Sequence, residues 1–162
     1  MHDIAVVARH AQHAVAISTE VTMPDFAPAI SAHDRILGWL AERGMSPAGA
    51  PFFHYAVVDM PRLVVVAGWP VDRDVVGDDD VQPLTLPAGR FATLRHRGHP
   101  DELEAATGEL LAWADERGLA FDRAESARGE EWACRLEIYE TDPAEEPDLS
   151  RWETTLVFKL RD

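Results

Sequence analysis

The chain has 162 residues, with 29 acidic side chains against 15 basic ones and a formal charge of −14. That length suits one domain built on a single substantial core, and that charge repels polyanions, so nucleic acid and anionic membranes are not expected as partners. The single cysteine, Cys134, excludes an intramolecular disulfide and a multi-cysteine zinc site and fits a reducing cytosol.

In chain order, the opening MHDIAVVARHAQHAVAISTE lacks a basic leader region, and the longest apolar stretch, Leu63 to Val71, is too short to span a bilayer. A cytoplasmic protein is expected. Ala14 to Glu20 reads as a strand rich in β-branched residues. A helix then starts near Pro24-Asp25, with Phe26, Ile30, Leu37 and Leu40 as its buried stripe, and ends at Trp39-Leu-Ala-Glu-Arg-Gly-Met45. Phe52 to Val58 and Leu63 to Trp69 follow as strands. The stretch Asp72 to Pro87 is a charged connection.

The second half repeats this order. Gly89 to Arg97 is a strand, and Pro100-Asp101-Glu102 opens a helix with proline near its first position and carboxylates suited to the dipole. Its apolar stripe is Leu103, Ala106, Leu110, Trp113 and Ala114, and it closes at Trp113-Ala-Asp-Glu-Arg-Gly-Leu119. That ending matches the first helix end at an offset of 74 residues, which argues for duplication. Strands are expected at Trp132 to Glu140 and Trp152 to Leu160, with a loop over Asp142 to Asp148. The chain therefore reads as one α+β domain over 1–162: a first strand-helix-strand-strand copy over about 1–72, a linker over about 73–85 and a second copy over about 86–162.

At period two, Ala133 to Glu140 separates into Cys134, Leu136 and Ile138 on one face and Arg135, Glu137 and Tyr139 on the other. The first face suits the helix layer. The second has two readings: a solvated face with a surface salt bridge from Glu137 to Arg135, or a carboxylate beside a phenol in a cleft. The first copy offers Phe53, Tyr55 and Val57 at comparable positions, and Trp69 ends its next strand. If the halves face each other, Tyr55, Trp69, Tyr139, Phe53 and the helix-end Trp39 and Trp113 line a site for a flat cation. Each ring face contributes about 0.5 to 2 kcal/mol by cation–π attraction. The tryptophans also have a core-packing reading. His96 with His99, and His10 with His13, have chelating spacing but no third ligand, so no metal or other cofactor is expected. Cys134 reads as inert packing.

These residues resemble the GyrI-like small-molecule-binding domains, also found as effector domains of bacterial transcription activators. The resemblance is carried by Trp39 to Gly44, Pro51-Phe52-Phe53-His54-Tyr55, Gly68-Trp69-Pro70-Val71, Leu86-Pro87-Ala88-Gly89, the His96 to Gly98 turn, Leu110 to Gly118, Glu137-Ile138-Tyr139 with Asp142-Pro143, and Trp152 to Leu160. It covers nearly the whole chain. It implies duplicated βαββ units related by a pseudo-two-fold, with antiparallel sheets, helices on one side and a ligand groove between the halves. It also implies that Glu137 faces that groove and receives the positive end of lipophilic drugs or dyes. Lys159 stands where the family usually has proline, and no helix-turn-helix region precedes the pattern. The implied protein is a stand-alone multidrug binder, monomeric or weakly dimeric, that captures small amphipathic, cationic or aromatic ligands without touching DNA. Some relatives are hydrolases that open strained cyclopropane-type electrophiles; here that role would fall to Glu137 as base, with Tyr139 assisting. A third expectation is a protein-binding role for the acidic surface.

Overall fold

A computed structural model describes residues 3–161. The strands are β1 (Asp3–Arg9), β2 (Gln12–Thr22), β3 (Phe52–Asp59), β4 (Arg62–Pro70), β5 (Gln82–Leu86), β6 (Gly89–Arg97), β7 (Arg123–Ser126), β8 (Gly129–Trp132), β9 (Arg135–Tyr139) and β10 (Glu153–Lys159). The helices are α1 (Ala27–Glu42) and α2 (Leu103–Glu116). All strands join one antiparallel sheet in the order β1-β6-β10-β9-β3-β4-β2-β5, with β7 and β8 as a hairpin beside β3. That order is a palindrome under duplication. β2 answers to β6, β3 to β9, β4 to β10 and the outer β5 to β1, so a pseudo-two-fold passes between β3 and β9. There Phe52 faces Ile138, Phe53 faces Glu137 and His54 faces Leu136. The protein is thus α+β, a curled antiparallel half-barrel with two helices, and its two βαββ halves merge through β3 and β9 into one continuous sheet.

The duplicated Trp-x-x-x-Arg-Gly sequence is a helix-stopping device. Gly44 and Gly118 take φ of 66° and 67°, a left-handed conformation that glycine enters without a Cβ clash. The arginine before each glycine folds back one turn. Arg43 lies 3.6 Å above the Trp39 ring and donates to the Trp39 carbonyl at 3.0 Å; Arg117 lies 4.2 Å above Trp113 and donates to its carbonyl at 3.2 Å.

Several expectations shift. The first helix begins at Ala27, with Pro28 in its first turn, and the phase is set by Ala29, Ala32, Ile36, Trp39 and Leu40. Ile30, expected on the stripe, is 61% exposed, because the small alanines let a neighbouring stripe lie closest to the sheet. Edge strands β1 and β5 and the β7–β8 hairpin add to the expected set, and β5 falls within the expected linker.

The larger correction concerns the faces of β9. Helix α1 packs mainly on β4 and β2, and α2 on β6. Their two cores include Phe53, Val65 and Ala67 on one side and Leu94, Leu156 and Phe158 on the other, and Tyr139 packs against both. Cys134, Leu136 and Ile138 point the other way. They form a third core with Phe52, Phe91 and Val157, where the sheet curls over its own back. The helix side therefore carries Arg135, Glu137 and Tyr139. Periodicity alone separates two faces; the curl buries both.

Candidate functional site

The central strands β3 and β9 lie between the two helix-covered halves, and on their helix side they present Phe53, Tyr55, Arg135, Glu137 and Tyr139. The Glu137 carboxylate is the centre. Tyr55 donates to its Oε1 at 2.8 Å and Tyr139 donates to the same oxygen at 2.6 Å. Tyr55, Glu137 and Tyr139 are each half-buried.

Burial pushes the Glu137 carboxyl above its ordinary value, against the two phenol bonds and the positive charge of Arg135, which pull it down. Burial also pushes both phenols well above theirs, and the neighbouring Glu137 charge adds to it. The tyrosines are thus fixed as donors, and Glu137 is a carboxyl group more basic than usual whose Oε1 accepts from both. Chemically the arrangement offers a negative charge to a cation, or a proton acceptor flanked by two hydroxyl donors.

Rings from the first copy extend from this centre. Phe53 meets Tyr139 edge-on at 5.4 Å and Phe26 edge-on at 5.3 Å, and it stacks on His33 at 4.7 Å. His33 meets Trp69 at 5.9 Å, Trp69 donates to the His33 carbonyl at 3.0 Å, and Phe26 lies 6.4 Å from Tyr55. Burial lowers the His33 pKa, while its bond to the Phe52 carbonyl, 2.8 Å from Nε2, works against this; the neutral ring acts as one more aromatic wall.

On the second half, the guanidinium of half-buried Arg135 lies 4.8 Å from the Trp132 ring, 4.9 Å from Phe158 and 5.7 Å from Tyr55. The backbone N–H of Arg135 donates to His54 Nδ1 at 3.1 Å, beside the β3 irregularity between Tyr55 and Val57. Burial holds His54 down to about 4, so it remains the neutral acceptor that ties β9 to β3.

Of the residues the sequence singled out, Glu137, Tyr139, Tyr55, Phe53 and Trp69 come together as one connected group. Trp39 does not join it: its indole donates to Asp78 at 2.8 Å and its ring sits in the α1 core, 7% exposed. Trp113 packs on the α2 core under Arg117. Phe26, His33, Trp132 and Arg135 are the neighbours that the sequence reading left out of the site. His33 was findable, lying one turn after Ala29 on the buried side of α1.

Elsewhere, His99 caps the turn before α2 and accepts from the Asp101 N–H at 3.1 Å, and His96 is buried beside it. Cys134 is buried and its thiol is pushed up to about 12. Lys159 is buried against Asp122 at 3.0 Å. No helix among the described residues is long and apolar enough to cross a membrane. Two better-formed hollows lie away from Glu137, one of about 190 Å³ beside Asp59, Arg62 and Arg128 and one of about 440 Å³ beside Leu119, Phe121, Arg123 and Arg161. Neither hollow converges buried charge and rings on one point.

Residues 2–161 match the family described as GyrI-like small molecule binding domain, and the chain belongs to it. No curated protein matches the sequence at a significant level. Among solved structures, the EcmrR–DNA complex determined by cryo-EM aligns with a TM-score of 0.72 at 15% identity, covering 99% of this chain and 58% of that one. The chain thus spans somewhat more than half of EcmrR, and the EcmrR C-terminal domain alone aligns over 100% of this chain and 99% of that one, with 16% identity and a TM-score of 0.69. SAV2435 bound to tetraphenylphosphonium aligns with a TM-score of 0.63 at 8% identity, over 98% of this chain and 94% of that one. A hydrolase from Listeria innocua aligns with a TM-score of 0.64 at 12% identity, over 98% and 91%. At such identities these likenesses speak for the fold.

Proposed function

We propose that this GyrI-like chain captures amphipathic aromatic cations in the groove above β3 and β9, with Glu137 as the charge-selecting group. The observation that carries this reading is the convergence of two phenol donors on one partly desolvated carboxylate oxygen, beside the ring surfaces of Phe53, Phe26, His33 and Trp69. A carboxylate attracts a cation more strongly where water is scarce, and each well-placed ring face adds about 0.5 to 2 kcal/mol. A delocalised or shielded cation fits best, since it loses little hydration on entering. The tetraphenylphosphonium held by SAV2435 on the same fold is such a cation.

The test is calorimetric titration with tetraphenylphosphonium and with tetraphenylborate, which has nearly the same shape and the opposite charge. The phosphonium should bind and the borate should not, and Glu137→Gln should weaken the phosphonium by about 1 to 3 kcal/mol, the scale of one charge-assisted contact. Equal affinity of the two proteins for the phosphonium refutes the reading.

A second reading rests on the raised pKa of Glu137. A basic carboxylate between two hydroxyl donors can activate water while a phenol steadies charge on the leaving atom, as a hydrolase for strained electrophilic rings requires. Incubating a cyclopropane-bearing electrophile with substoichiometric protein separates the two: ring-opened product exceeding the protein present supports turnover, and product at or below it leaves binding alone.

A further inference from the structure

Among the described residues four arginines lie over aromatic rings, and Arg135 is unlike the other three. Arg43 stacks on Trp39 and reaches Asp78 at 3.2 Å. Arg117 stacks on Trp113 and reaches the Trp113 carbonyl. Arg123, over Phe121 and Trp132, reaches Glu130 at 3.4 Å. Arg135 is surrounded by three ring faces, and its Nε is fully buried without a hydrogen-bond partner. Among the described residues its guanidinium forms no side-chain hydrogen bond or ion pair within the protein.

An unmatched buried donor costs about 1 to 3 kcal/mol, and more on a charged group, so such a group needs a reason to persist. Ring faces stabilise the charge of a guanidinium but accept its in-plane N–H groups poorly; those call for an oxygen acceptor, best a carboxylate. Arg135 also shares the helix-side face of β9 with Glu137, two residues away, which sets their Cα atoms about 6.6 Å apart. The groove floor therefore carries one anion and one cation side by side.

We infer that Arg135 forms an acceptor subsite of the same groove, so that the preferred ligands are dipolar aromatics carrying a carboxylate or carbonyl oxygen as well as a cationic centre. This rests on the proposed cation site at Glu137. The overall charge of −14 works against it: the field of the whole molecule favours a ligand without a carboxylate. A preference for the carboxylate form must therefore arise locally, and its sign is diagnostic.

Rhodamine B, a zwitterion with a free carboxylate, and its methyl ester, a simple cation, share one ring system. Fluorescence-anisotropy titration of the wild-type protein should favour the free acid by about tenfold or more, the scale of a charge-assisted hydrogen bond. Arg135→Met, which keeps an unbranched stem against the rings, should reverse the preference, and Arg135→Lys should retain part of it. Equal binding of the two dyes by wild type, or tighter binding of the ester, overturns the subsite while leaving the cation site standing. An unchanged ratio in Arg135→Met does the same. Failure of both dyes to bind wild type overturns the subsite and the reading beneath it. The wild-type comparison needs no variant, so a poorly folding substitution leaves the test intact.

Discussion

The two phenol bonds to Glu137 imply how acidity would govern the proposed cation capture, and Tyr139→Phe isolates their effect. The substitution removes one hydroxyl, the donor at 2.6 Å, and keeps the ring that meets Phe53 edge-on at 5.4 Å. A hydrogen bond to a charged group contributes about 1.5 to 3 kcal/mol, and a tenfold change in a protonation equilibrium corresponds to about 1.4 kcal/mol. Loss of the Tyr139 donor should lower the ratio of ionised to protonated Glu137 by about tenfold or somewhat more, with Tyr55 still in place at 2.8 Å. Burial already holds this carboxyl above its ordinary value, so the change moves its titration further towards neutrality. Cation affinity should fall most at mildly acidic pH and recover as pH rises. Calorimetry with tetraphenylphosphonium from about pH 5 to about pH 9 reads this directly: the midpoint of the affinity profile should lie at higher pH in the variant, and the two curves should converge in the alkaline limb. A midpoint that stays put refutes the claim that the phenol stabilises the carboxylate. A uniform loss at every pH refutes it too, because that marks a direct contact between phenol and ligand.

Three further outcomes follow from the same structure. Glu137 has a raised pKa in the fold, so the folded state holds its proton more tightly than the unfolded chain does; this group costs stability as pH climbs through the raised value. Glu137→Gln should therefore not lower Tm at neutral pH, and its stability above about pH 4.5 should vary less with pH than that of wild type, by thermal denaturation. His54 has the opposite linkage: its pKa falls from 6.5 to about 4, so the stability it confers is full above 6.5 and is lost as pH falls towards about 4, an effect of about 3 kcal/mol. His54→Asn, which keeps an acceptor for the Arg135 N–H, should flatten urea-derived stability across that window. At Gly68 an added Cβ would come within 2.4 Å of the Phe52 ring, so Gly68→Ala must displace the centre of the third core and should cost about 2 kcal/mol in urea unfolding.

The sequence made legible what short-range chemistry decides. The paired Trp-x-x-x-Arg-Gly endings carry their own stop signal, and the strands rich in β-branched and aromatic residues fell close to their observed positions. The omissions have physical causes. In β1 nearly every position is exposed, so no apolar alternation marks it. β5 contains Pro83, which an outermost strand tolerates and a central one does not, and β7 and β8 are short polar strands. The two faces of β9 were separated correctly and assigned to the wrong sides, because alternation carries no information about which side a helix covers, and the curled sheet supplies a second buried side. At the site, Glu137 and Tyr139 were visible as neighbours on one face. Tyr55 sharing their hydrogen-bond centre, and Arg135 lying against the Tyr55 and Phe158 rings, depend on pairings 82, 80 and 23 positions apart in sequence, which no local pattern reports.

Duplication also explains why the site is asymmetric. The pseudo-two-fold runs between β3 and β9, so the same residue type placed on both would face its own copy across adjacent strands. Like charges there repel in a setting where water screens them poorly. Two glutamates at the seam would raise each other's pKa until one took a proton, and the groove would hold one usable charge at a loss of stability. At the seam the chain instead places Phe53 and Tyr55 on β3 and the charged pair Arg135 and Glu137 on β9. One Tyr55 hydroxyl then crosses the axis to complete the carboxylate's coordination. The fold keeps the two-fold in its backbone, while its seam side chains abandon it where symmetry would oppose the proposed cation binding.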